Sequence, residues 1–193
     1  HILCDTLKPW IELTLHPRTF NNRECMGSQA AINQVIEDIC EVSNCYTETA
    51  WVIKWDLAGF FPNAVCDYME SCFVRVIDNF DGEIAEKYGE RMPPFLKWLA
   101  MIAIHCCPAK HYERRTPKYL WDKHIKPEKS ILNKPDGIGV PIGRMSSQTG
   151  MGLYINDEVS DKHREDNAIM TVAAPKINIG YEDENIILGD KRP

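Results

Sequence analysis

Hydrophobic and polar positions follow two periods along this chain, and each period predicts an element. The run Trp51-Val52-Ile53-Lys54-Trp55-Asp56-Leu57 is rich in β-branched and aromatic residues and predicts a strand, broken by Gly59 and Pro62. Alternating Ile177, Ile179 and Tyr181 predict a second strand, and Ile186 to Leu188 a third. Helical spacing appears elsewhere. Ile32, Val35, Ile36 and Ile39 make a one-sided apolar stripe on a helix that starts at Ser28, a good N-cap residue. Val65, Met69, Phe73 and Ile77 make another on a helix from Ala64 to about Asn79. A third helix, Phe95 to about Cys107, is apolar on most sides, which predicts burial, and Pro108 ends it. A fourth starts at Ser146 and runs through Met151, Tyr154 and Ile155, with residues 157–169 as its charged, exposed end.

Breakers divide these elements. Pro9 and Pro17 interrupt residues 1–27, and His16 to Arg23 reads as a loop. Asp81-Gly82 and Asn133-Lys134-Pro135-Asp136-Gly137 read as turns. The segment from Gly137 to Gly143 carries three glycines and Pro141, so its backbone can approach a ligand closely.

Two acidic spots stand out against this pattern. Asp56 ends an apolar strand, where a carboxylate needs a partner: a Lys or Arg, or a metal ion. Glu182, Asp183 and Glu184 lie consecutively between the two C-terminal strand patterns, as at a hairpin tip. A solvated turn tolerates that crowding, and a divalent cation offsets it. Two such ions, about 3.5–4 Å apart, can clamp the attacking and leaving oxygens of a phosphoryl transfer.

Composition narrows the field. The 193 residues are 44% hydrophobic and 26% charged, which suits a globular protein, and no apolar run approaches a membrane span. The net charge of −6 is unfavourable for a nucleic-acid binder, but it is unevenly spread. Residues 110–129 hold seven Lys/Arg, among them Arg114, Arg115 and Lys118, against three acids, with Tyr112, Tyr119 and Trp121 interleaved. Such a segment either meets phosphates and stacks bases or forms a solvated, salt-bridged loop. Eight cysteines without a Cys-x-x-Cys pair suggest reduced thiols in an intracellular protein. The spacing of His105, Cys106, Cys107 and His111 suits core packing better than one tetrahedral zinc site.

The order Asp56-x-x-x-Phe60-Phe61, then Ile142-Gly143-x-x-Ser146-Ser147-Gln148, then Tyr181-Glu182-Asp183-Glu184 resembles the palm of a reverse transcriptase, most closely those of diversity-generating retroelements. The resemblance implies an α+β fold: a right-hand polymerase palm, an antiparallel sheet backed by helices, with partial fingers and no thumb. It divides the chain into 1–50 (partial fingers), 51–82 (palm strand and helix with the first catalytic Asp), 83–138 (fingers segment) and 139–193 (palm, motif loop, helix and acidic hairpin). It implies RNA-directed DNA synthesis by transfer of a nucleotide to a primer 3′-hydroxyl, with Asp56, Asp183 and Glu184 catalytic. Those three residues and the Leu57 carbonyl would ligate two Mg²⁺ ions, with Mn²⁺ as the substitute.

Phe61, Ile142, Gly143 and Gln148 would line the nucleotide pocket, Phe61 by excluding a ribose 2′-hydroxyl. Arg23, Arg114, Arg115 and Lys118 would contact nucleic acid. The implied partners are an RNA template, a DNA primer, deoxynucleoside triphosphates and an accessory protein, with no membrane; the implied setting is the cytoplasm of a bacterium, in a bacterial or phage-encoded protein. Two departures accompany the resemblance. Glu184 stands where the family has Asp, and the chain stops soon after the hairpin, which predicts a fragment with weak or no activity alone. The competing readings are a retron or group II intron type of reverse transcriptase, and a non-catalytic palm-like module that binds RNA or protein.

Overall fold

The computed structural model describes residues 1–56, 59–106, 113, 115–124, 130–163, 169–173 and 184–189. Its elements are α1 (Ile2–Thr14), α2 (Ser28–Val42), β1 (Trp51–Asp56), α3 (Phe60–Asn63), α4 (Cys66–Asn79), α5 (Asp81–Tyr88), α6 (Met92–His105), α7 (Lys118–His124), a 3₁₀ turn (Ile131–Asn133), α8 (Met145–His163), β2 (Ile169–Ala173) and β3 (Glu184–Gly189). The α+β palm expected above is overturned. Helices hold most of the described residues, and strand is confined to three segments of five or six residues. The chain forms two compact units, His1–Ile11 with Gly59–Tyr154 and Glu12–Ala58 with Ile155–Pro193.

In the first unit α4 follows the predicted stripe. Met69, Phe73 and Ile77 are fully buried, while Val65 lies just outside the helix and bridges Ile138. The Asp81-Gly82 turn is instead the start of α5. The Gly82 N–H donates to the Asp81 carboxylate at 2.6 Å, and Asp81 and Glu83 suit the positive end of the helix dipole. The expectation of all-round burial for α6 also fails. Its buried row is Pro93, Leu96, Ala100 and Ile104, whereas Phe95, Trp98, Met101 and Ile102 are each more than 40% exposed. Among the described elements α6 lies against α4 and α5, which cover one side of it.

Pro9 does not break the N-terminal segment. It lies inside α1, where losing one backbone hydrogen bond costs about 3 kcal/mol. Leu3, Cys4, Leu7, Trp10 and Ile11 are buried on one face, each apolar side chain contributing roughly 1.5–3 kcal/mol, so burial wins. Burial also raises the Cys4 thiol pKa above its ordinary value, against a hydrogen bond from Thr149 that lowers it.

In the second unit α2 begins at Ser28, but Gly27 is its cap residue and no side chain caps it. The predicted Ile stripe is not its buried face: Ile32 and Ile36 are exposed, and the buried positions are Ala31 and Asp38. The α2 helix lies against β2 and β3. The strands pair antiparallel in the order β1-β3-β2. The predicted third strand, Ile186 to Leu188, lies within β3; its partner is Ile169–Ala173, and residues 177–181 lie outside the described residues. Among the described residues no helix is long and apolar enough to cross a membrane.

Candidate functional site

The predicted site residues fall in both units, so each group stands by itself. In the second unit the β1–β3 register sets Asp56 opposite Glu184, Trp55 opposite Asn185 and Lys54 opposite Ile186. Directly opposed positions of an antiparallel pair share a face of the sheet. β1 ends on its acid and β3 begins on one, so two carboxylate-bearing positions meet at one end of the sheet. Lys54 lies two positions back on the same face. Ala173 of β2 flanks Glu184 on its other side. Leu57 and Asp183 lie outside the described residues.

Arg23 belongs to the same unit, and its guanidinium holds the 16–23 loop together. Nε donates to Glu12 Oε2 at 2.7 Å, and Nη1 donates to the carbonyls of His16 and Thr19, each at 3.0 Å. The group is nearly buried in these contacts. Arg18, from the same loop, pairs with the buried Asp38, whose other oxygen accepts from Gln34 Nε2 at 3.0 Å. Sequence reading missed this pair. Its signal was a carboxylate seven residues after Ala31, two helical turns along one face of α2.

In the first unit the glycine loop closes on the segment that follows β1. Val140 N donates to Phe61 O at 2.9 Å, Gly139 N to Ala64 O at 2.8 Å, and Cys66 N to Gly137 O at 2.9 Å. Phe61 is thereby joined backbone to backbone to Val140, two residues before Ile142. A Cβ on Gly139 would meet Pro62 O at 2.9 Å, at a φ of +89° that side chains rarely adopt. Gly139→Ala is therefore expected to lower stability by about 1–3 kcal/mol. Gly143, at φ +92° with open space around it, carries the strain without the clash. Gly143→Ala should cost less, and thermal unfolding of the two variants checks the difference.

The four predicted pocket residues differ in their surroundings. Phe61 is 4% exposed and meets Phe60 edge-on at 6.4 Å, a core position. Ile142 is 61% exposed, Gly143 is exposed, and Gln148 is half-buried in the first turn of α8. One turn on, Gly150 lets α8 approach α4: a Cβ there would come within 2.7 Å of Met69 Sδ. Of the basic segment, Arg115 and Lys118 are exposed, and Arg114 lies outside the described residues. His105 Nε2 lies 2.8 Å from Glu70 Oε2 and 3.6 Å from Asp67 Oδ1, while Cys107 and His111 lie outside the described residues.

Among the described residues no three His, Cys, Asp or Glu side chains gather into a metal-binding group. Carboxylate is the donor type that hard divalent cations take, and the register pairs an Asp position at the end of β1 with a Glu position at the start of β3. No protein family, curated protein or solved structure matches the chain.

Proposed function

We propose that this chain is a metal-dependent nucleotidyl transferase, an RNA-directed DNA polymerase of the diversity-generating retroelement kind. The observation that carries the reading is the register of Asp56 against Glu184, taken with the order of the three motifs. Like charges directly opposed in a sheet destabilise it, and a cation between them turns repulsion into ligation. Asp56, Asp183, Glu184 and the Leu57 carbonyl would hold two Mg²⁺ or Mn²⁺ ions. When bound, such ions neutralise charge on a nucleoside triphosphate and favour the ionised form of a primer 3′-hydroxyl.

The chain's own residues supply position and charge. The carboxylates fix where cations sit. Arg115 and Lys118, both exposed, meet template or primer phosphates. Ile142 offers no amide to an incoming base, which removes the strong, hydrogen-bonding kind of discrimination.

The test is extension of a DNA primer on an RNA template with deoxynucleoside triphosphates. The expected result is a weak extended product that needs Mg²⁺ and disappears on chelation. Glu184→Asp is expected to raise the yield, because it withdraws the carboxylate by one methylene toward the family's length. RNA binding without extension, in both the natural chain and Glu184→Asp, would assign a binding module instead; the net charge of −6 favours that second reading. Errors concentrated opposite template adenines would separate the retroelement kind from retron or group II intron enzymes.

A further inference from the structure

The segment that joins α2 to β1 brings together two thiols that a helix would keep apart. Five residues of α-helix rotate a side chain about 140° away from its starting face. Cys40 and Cys45 are five apart, yet their Sγ atoms lie 3.7 Å from one another. The cause is a left-handed turn. Asn44, Cys45 and Tyr46 have φ of 47°, 54° and 65°, three successive non-glycine residues in a region that side chains disfavour. They fold the chain back over the last turn of α2, so that Cys45 N donates to Cys40 O at 2.7 Å.

Ser43 fixes the turn from within: its carbonyl accepts from Thr47 N at 2.9 Å and Glu48 N at 2.8 Å, and its hydroxyl accepts from Tyr46 N at 2.9 Å. Cys45 is exposed and Cys40 half-buried.

We propose that Cys40 and Cys45 are a reversible dithiol–disulfide pair, a redox modification site that pins the end of α2 to the approach of β1. Bond formation would close the 3.7 Å contact between the sulfurs to roughly 2.05 Å. The oxidant is a small-molecule disulfide such as glutathione disulfide. Cys45, the more exposed thiol, loses its proton and attacks one sulfur of that disulfide; a mixed disulfide forms and one glutathione thiolate leaves. Cys40 then loses its proton and attacks Cys45 Sγ; the protein S–S bond forms and the second glutathione leaves. The two thiolates released take up the two protons. The protein pair has lost two electrons and the glutathione disulfide has gained them. The hydrogen bond between the two thiols raises the Cys40 pKa above its ordinary value.

The strained turn matters to this site because it is already closed: a disulfide would lock a conformation the reduced chain holds by hydrogen bonds. Cys25 is the internal control, being exposed and in the same compact unit.

The experiment treats the full chain with graded mixtures of glutathione and glutathione disulfide, quenches by alkylation, and maps the cysteines by peptide mass. The expected result is a Cys40–Cys45 linkage, seen as the loss of two hydrogens. It should be independent of protein concentration, be reversed by dithiothreitol, and leave Cys25 as a free thiol or a simple glutathione adduct. Cys40→Ser and Cys45→Ser should each abolish the linkage and leave the remaining thiol glutathionylated. Amide exchange over residues 43–48 should slow in the oxidised chain and not in either variant. Cys40 and Cys45 modified independently, at the rate of Cys25, would overturn the proposal. So would pairing of either with Cys25 or with a second chain.

Discussion

Asp56→Asn is expected to abolish Mg²⁺-dependent primer extension, a fall on the order of 10³-fold or more, without unfolding the protein. The substitution keeps shape and removes charge. If Asp56 and Glu184 oppose each other as bare carboxylates, neutralising one relieves roughly 0.2–1 kcal/mol of cross-strand repulsion. The variant should then be as stable as the natural chain without metal, or slightly more so. Added Mg²⁺ should stabilise the natural chain by binding its folded form, and should do so far less in the variant. Thermal unfolding with and without Mg²⁺, run beside the extension assay, reads both effects. The opposite pattern has its own cause. Lys54 occupies the same face two positions back. If Lys54 alone neutralises these acids, Asp56→Asn lowers stability, Mg²⁺ shifts neither protein, and the polymerase reading fails.

How much of this was legible before the structure depends on which forces leave a periodic trace. The α4 stripe was readable because Met69, Phe73 and Ile77 repeat at helical spacing and all three are buried. The faces of α6 were not, because an apolar residue at every position cannot say how many neighbours will cover it. Leu96 and Ala100 are fully buried while Phe95 and Trp98 stay more than 40% exposed. Pro9 misled for a related reason: a local breaker was outweighed by five buried side chains along α1. In the second unit β3 was visible from Ile186 to Leu188, but its partner strand, Ile169–Ala173, carries too short an apolar run to separate from the charged segment before it. Of the acids of the candidate site, Glu184 was found by its crowding with Glu182 and Asp183, and Asp56 by its place at the end of an apolar strand. Their alignment was not, since register is set by pairing across the sheet and leaves no mark in either strand alone.

The least legible feature carries the largest stability prediction. Arg18→Met is expected to destabilise the second unit by about 3–5 kcal/mol, because it takes the guanidinium counter-charge from a carboxylate that is only 1% exposed. Gln34, which donates to Asp38 at 3.0 Å, is neutral and does not replace the lost positive charge. The loss should be far larger than an exposed ion pair would give, which is typically under about 1 kcal/mol. Replacing both partners by apolar residues, Arg18→Met with Asp38→Leu, should recover most of it, since the buried charge is gone along with its counter-ion. Urea unfolding of the two single variants and the double variant measures the coupling directly. A single-variant loss below about 1 kcal/mol would mean that the pair behaves as a surface contact. The expected result would instead make Asp38 a residue that ties the 16–23 loop to the helix lying against β2 and β3.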